Sequence, residues 1–302
     1  MKQAYLKYFF ALMILGSNGI VASYILLNSY EIVFLRSLIG SAFLAMIFVF
    51  SKSKFHGFEN KRHFMYLMIS GVSMGASWLF LYEAYSRIGV SVATLACYCG
   101  PVIVVLLSPL IFRERLTISK MSGFFAVMVG MYLVNGSSLQ QDGLTWGLLC
   151  GILSAVMYAF MVIFNKKAES ITGLENAMFQ LIFSFLTVAV FMQIKQGIVI
   201  PSLMQNIVPV LILGIINTGI ACYLYFSSIQ QLPAGSVAIC GYLEPLSALI
   251  FSAIILQERL TIIQILGAMC IIGGAALGEY FTYKSKIKEE DCQLAVIEQQ
   301  DE

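Results

Sequence analysis

Apolar residues run through this chain in blocks of about twenty, parted by short polar or charged turns. Ten blocks can be marked off, at about 6–27, 30–50, 64–87, 91–112, 118–136, 144–164, 173–194, 206–229, 233–256 and 262–282. A helix of that length crosses ~30 Å of hydrocarbon. The pattern therefore predicts an all-α integral membrane protein with ten transmembrane helices. Lys2 and Lys7, ahead of the first block, also fit the charged start of a cleaved signal peptide. That block is longer than an ordinary signal core and has no convincing small-x-small cleavage site, so it is read as a helix.

One stretch occurs twice. Tyr98–Thr117 reads YCGPVIVVLLSPLIFRERLT, and Tyr242–Thr261, 144 residues later, reads YLEPLSALIFSAIILQERLT. At that offset Pro101 meets Pro245, Ser108 meets Ser252, and the Glu-Arg-Leu-Thr turn at 114–117 meets the one at 258–261. Gly75/Gly219, Gly123/Gly267 and Gly130/Gly274 coincide as well, while Arg36 meets Gln180 and Tyr82 meets Phe226. The opening helices of the two copies align only after a shift of about six residues. The halves are 1–136 and 143–282, joined by the polar loop Gly136–Gly143 and followed by a flexible cytosolic tail at 283–302. Five spans per half is an odd number, so the second half must enter the membrane upside down. Two inverted five-helix repeats are the expected architecture, one on which many alternating-access carriers are built.

The paired prolines carry chemistry of their own. Pro101 and Pro245 cannot donate a backbone bond, which frees the carbonyls of Cys97 and Gly241. Within a bilayer such groups persist only where protein or a water-filled cavity satisfies them. Duplicated broken helices point to a transporter's binding site, and the two prolines are read as hinges.

Composition narrows the alternatives. Of 302 residues 59% are hydrophobic and 11% charged, against about 25% charged in soluble domains. The net charge of +2 comes with no basic patch interleaved with aromatics, so no nucleic-acid partner is expected. With both termini on the cytoplasmic side, 14 of the 18 lysines and arginines fall on inner segments, which the positive-inside rule favours. The expected location is the cell membrane, as a multi-pass protein. Six of the seven cysteines lie in apolar runs, and no metal-ligand spacing exists. There is no HExxH, no G-x-S-x-G and no phosphate-cradling loop, so neither enzyme chemistry nor a cofactor is expected, and an ATP-driven pump is disfavoured. Gly71/Gly75, Gly147/Gly151/Ala155 and Gly274/Gly278 are small-residue spacings for close helix contact. Thr117 and Thr261 look like N-caps of the helices that follow.

The mid-helix proline, the Glu-Arg-Leu-Thr turn and the glycine-bearing helix after it resemble the EamA-type family of the drug/metabolite transporter superfamily. The resemblance covers both halves, about 6–282. Glu244-Pro245 and Glu258-Arg259-Leu260-Thr261 match its second-half signature, and Arg36 matches the arginine common in its second helix. It implies a ten-helix carrier of small metabolites, often amino acids or related compounds and often moved outward, whose central cavity is lined mainly by helices 1, 3, 4, 6, 8 and 9. Gly100 stands where the second copy has Glu244, so the half-sites are chemically unequal.

Three ionisable residues stand well inside apolar blocks: Arg36, Glu83 and Glu244. Arg36 is close enough to the outer end to snorkel. Glu83 precedes Arg87 by one turn, the spacing of an interfacial ion pair. Glu244 lies about ten residues from either end of its block, too deep to reach water with its short side chain, and is read as functional. It meets a substrate ammonium or a coupling proton; the plainer alternative is a bond to a neighbouring helix. Tyr98, Tyr242, Trp78, Tyr82 and Tyr158 offer aromatic faces at span depth, and Asn18 a mid-span polar group, as substrate-binding candidates, with helix packing as the alternative for each. The reading is a secondary transporter of small organic metabolites, an exporter of amino acids or related amines, with the bilayer as its surroundings, acting as a monomer or homodimer. Proton- or sodium-coupled uptake is the alternative within transport. A membrane-embedded enzyme or a scaffold is the alternative outside it.

Overall fold

The computed structural model describes residues 2–51, 55, 59–114, 118–135, 145–195, 197, 207–255, 257 and 261–277, with the backbone alone at 89–92, 95, 119, 120, 134, 135, 145 and 252. The described residues are helical throughout, with no strand among them. In order they form α1 (Lys2–Gly16), α2 (Asn18–Ser23), α3 (Ser29–Phe50), α4 (Lys61–Cys97), α5 (Cys99–Phe112), α6 (Ile118–Asn135), α7 (Thr145–Lys167) and α8 (Gly173–Lys195). A run from Ile207 to Ile229 follows as α9 (Ile207–Leu211), a π-helix (Ile212–Ile220) and α10 (Ala221–Ile229). Then come α11 (Ala234–Gly241), α12 (Leu243–Ile255) and α13 (Ile262–Leu277). Seven of these runs are long and apolar enough to cross a membrane, and Cys99–Phe112, Met121–Leu133 and Ile262–Leu277 are shorter apolar helices.

Local chemistry sets the ends. Asn28 and Glu31 form a reciprocal capping box at the start of α3, with bonds of 2.9 and 3.0 Å. Asn60 accepts from Arg62 and His63 at the start of α4. Thr261 accepts from the Gln264 amide at 3.3 Å, and the Gln264 side chain accepts from the Thr261 amide at 2.9 Å. Thr117 lies outside the described residues. α4 is helical from Lys61 to Cys97, yet Ser77 and Cys97 both reach the Ser154 hydroxyl, at 3.1 and 3.3 Å, where twenty residues of straight helix would span about 30 Å. The chain therefore doubles back between them, and the run long enough to cross a membrane ends at Ile88. Pro109 within α5 leaves the Val105 carbonyl without its usual donor, and the Ser108 hydroxyl supplies one at 2.9 Å.

Segments from before and after residue 140 are interleaved. α1 packs on α10 and α12, α3 on α8 and the π-helix, α4 on α7 and α8, and α5 on α7. Several contacts are backbone to backbone. A methyl group on Gly75 would meet Ser184 O at 2.7 Å, one on Gly130 would meet Gly267 O at 2.6 Å, and one on Gly274 would meet Gly123 O at 2.5 Å. Small residues give such close approach where lipid removes the usual hydrophobic drive. The outer surface is the reverse of a soluble protein's, with Leu110, Ile118 and Ile194 each more than four-fifths exposed.

Candidate functional site

Two helix breaks meet in the interior. The helical ladder is interrupted at Tyr98, between α4 and α5, and at Tyr242, between α11 and α12. Pro101 and Pro245 thus fall in the first turn of the following helix, where a missing N–H leaves no gap. The Tyr242 hydroxyl donates to the Tyr98 carbonyl at 2.7 Å, and the two rings lie 6.0 Å apart. The break in one segment is satisfied by the aromatic residue at the break in the other.

A third break, at Ser17 between α1 and α2, was not foreseen. Asn217, in the π-helix, donates to Ile14 O at 2.8 Å and Ser17 Oγ at 2.7 Å, and Ile14 O also accepts from the Ser17 hydroxyl, so the break is tied to the π-helix. Thr218 donates to Leu213 O at 2.8 Å, five residues back. π-Helical turns are rare and concentrate at functional sites. Asn18 opens α2 beside this break, and its Oδ1 is buried without a hydrogen-bond partner.

Around the breaks the chain gathers tyrosines. The Tyr158 hydroxyl lies 3.1 Å from that of Tyr225, the Tyr8 and Tyr225 rings are 5.4 Å apart, and Tyr8 donates to Val237 O at 2.8 Å. A methyl group on Gly241 would come within 3.4 Å of the Tyr8 hydroxyl and 3.8 Å of the Tyr158 hydroxyl, so this glycine opens room between them. Glu244 stands in the first turn of α12. Its carboxylate interacts electrostatically with Tyr8, Tyr98, Tyr158 and Tyr225, and the cation whose field reaches it is Arg36. Among the described residues it makes no side-chain hydrogen bond and no ion pair. It is partly exposed although it lies deep in the fold, so it borders open space rather than packed protein.

Of the expected binding residues, Glu244, Tyr98, Tyr242 and Tyr158 come together here. Tyr8 and Tyr225 complete the group, and neither is among the residues expected from sequence. Tyr8 was within reach of it: subtracting 144 and the six-residue shift from Tyr158 lands on Tyr8. Trp78 lies one step away, its ring 4.8 Å from the Arg36 guanidinium. Tyr82 packs on Tyr85 at 5.3 Å and within the neighbouring apolar cluster of α3 and α8, apart from the tyrosine group. Arg36 does not snorkel. It is buried, 6% exposed, and its Nε donates to Thr218 Oγ1 at 3.0 Å.

Glu83 has the partners that Glu244 lacks. Lys195 Nζ approaches it at 3.0 Å and Arg87 Nε at 3.3 Å, the Tyr30 hydroxyl donates to it, and Lys195 lies over the Tyr30 ring at 4.1 Å. Arg87 is largely exposed, which marks this cluster as the rim of the molecule. His63 lies 2.8 Å from the Ser170 hydroxyl. Among the described residues no three His, Cys, Asp or Glu side chains converge as metal ligands.

The EamA-like transporter family model matches residues 2–136 and, a second time, 145–278. The chain belongs to that family. An uncharacterized transporter, YxxF, of Bacillus subtilis (strain 168) is 26% identical over 91% of this chain and 88% of its own length. Protein PecM of Dickeya dadantii (strain 3937) is 23% identical over 74% of this chain and 78% of its own. A solved crystal structure of a protein at 17% identity superposes with a TM-score of 0.79 over 91% of this chain and 98% of that one, a likeness of fold alone. As an EamA-like family member the chain is a membrane transporter, surrounded by lipid and acting on a small molecule.

Proposed function

We propose that this protein is a secondary active transporter that carries small cationic or zwitterionic metabolites, amino acids or related amines, outward across the cytoplasmic membrane by alternating access. One observation carries the reading: a carboxylate, Glu244, stands without a protein partner among tyrosines where two broken helices meet. An intramembrane charge costs about 2.5–3.5 kcal/mol on insertion scales, so an unpartnered one points to a ligand or a coupling proton. Tyrosine faces suit an ammonium group.

The proposed frame is ten spans in two inverted halves, 1–136 and 143–282, with both termini cytoplasmic and the tail at 283–302 beyond the described residues. Contacts that exchange under the 144-residue offset support it. Gly75 against Thr187 becomes Gly219 against Phe43, and Gly130 against Gly267 becomes Gly274 against Gly123. Pairs related by a two-fold operation behave in this way. α5 is shorter than a full span, but the chain turns back within α4, so the last turns before Cys97 and α5 together make the proposed fourth crossing.

Counterflow in proteoliposomes tests the proposal, using radiolabelled amino acids, amines and sugars with and without proton and sodium gradients. Saturable exchange of an amino acid or amine, abolished in Glu244→Gln at unchanged membrane abundance, is expected. Exchange confined to sugars, or parental kinetics in Glu244→Gln, would refute it.

A further inference from the structure

We infer that Arg36 is the second pole of this site, its guanidinium holding the carboxylate of a solute whose ammonium group meets Glu244, so that the transported class is zwitterionic amino acids rather than simple amines. The inference rests on the reading of Glu244 given above. Arg36 is nine-tenths buried, and one nitrogen, Nε, is committed to Thr218. Its plane is fixed beside the Trp78 ring. The Nη1 and Nη2 amines have no hydrogen-bond partner among the described residues, yet neither is sealed off from space as the unsatisfied Asn18 Oδ1 and Ser184 Oγ are. They therefore keep the little exposed surface that Arg36 has and stay free for a ligand. Two parallel N–H donors held in one plane are the fork that grips a carboxylate with two bonds.

The two charges address one volume. Thr218, Cys222 and Tyr225 follow one another on a single face of the Ile207–Ile229 run. Thr218 holds Arg36, Tyr225 borders the tyrosines around Glu244, and Cys222 between them feels the field of both charges. No ion pair joins the two, so each remains available to a ligand of opposite sign. The repeat sharpens this. At the equivalent of Arg36 stands Gln180, wholly buried and bonded to Asn165, and at the equivalent of Glu244 stands Gly100. Each charge thus occupies one of two related positions, which gives the cavity a positive and a negative end. A buried cation and anion without mutual contact are costly to keep unless a ligand bridges them.

Counterflow by the full chain in proteoliposomes discriminates the classes. Each of the twenty amino acids is compared with its decarboxylated amine. The parental protein should exchange at least one amino acid about tenfold or more faster than the matching amine. Arg36→Gln should slow that exchange by about 10- to 100-fold, the effect of losing one or two charge-assisted hydrogen bonds, and bring the ratio of amino acid to amine near one. Arg36→Lys keeps the charge without the fork and should recover part of the rate at parental abundance. Equal parental rates for amino acid and amine, no exchange of any amino acid, or an unchanged ratio in Arg36→Gln would each overturn the inference. Failure of the Glu244 reading looks different: Glu244→Gln would exchange at the parental rate while Arg36→Gln still would not.

Discussion

Glu83 and Glu244 are the same residue type set into apolar helices, and the protein treats them in opposite ways. Glu83 receives Lys195, Arg87 and a tyrosine hydroxyl at the rim of the molecule. Glu244, in the interior, receives none among the described residues. A carboxylate whose capacity is filled by neighbours ties helices together, in this case α3, α4 and α8. One whose capacity is left open, in a setting where openness is expensive, is fitted for something that comes and goes. The contrast separates structural from functional charge more sharply than depth along the helix does.

Neutralising each glutamate in turn tests that contrast. Glu244→Gln should give the largest effect, transport lost by 100-fold or more, about 2.7 kcal/mol in transition-state terms, with normal abundance in the membrane fraction. Pro245→Ala and Pro101→Ala should come next. Each allows the ladder to close across the break at Tyr242 or Tyr98, and a several-fold fall in counterflow rate at unchanged expression is expected. Parental rates in both would mean that the breaks are set by the tyrosine contact alone. Glu83→Gln should leave transport per molecule within about twofold but lower thermal stability in detergent by about 1 kcal/mol, the scale of rim ion pairs. Lys195→Met should show the smallest effect, a fraction of that loss, because Arg87 and Tyr30 remain on Glu83. A transport defect in Glu83→Gln as deep as that of Glu244→Gln would erase the distinction.

The helices were legible because lipid demands long unbroken apolar runs, and most observed bounds fall within a few residues of the blocks read from sequence. The break near 88–90 was marked by the end of an apolar block, and the shared contact of Ser77 and Cys97 with Ser154 shows the chain turning back between them. At the site, Tyr98, Tyr242 and Glu244 were legible because they flank duplicated prolines. Arg36 was misjudged because its burial depends on Thr218, 182 residues further along the chain. Its distance from the helix end carried no hint of that partner. The π-helix was hidden altogether: ILGIINTGI is as apolar as any α-helical block, and its wider turns arise from packing against α3 and the broken α1.

That wider turn has a consequence for chain length. A π-helical ladder bonds each residue to one five positions on and so accommodates an extra residue without turning the helix beyond it. In an ordinary stretch such as α3, removing one residue rotates everything downstream by about 100° and moves its contacts to another face. Within Ile212–Ile216 the same removal has a reservoir to draw on: the ladder can tighten to the α form and leave Tyr225 and Phe226 facing as before, while Asn217 and Thr218 lose their aim at α1 and Arg36. Natural variation in length, where a lineage carries it, has one place in this helix where it alters the site and spares the scaffold.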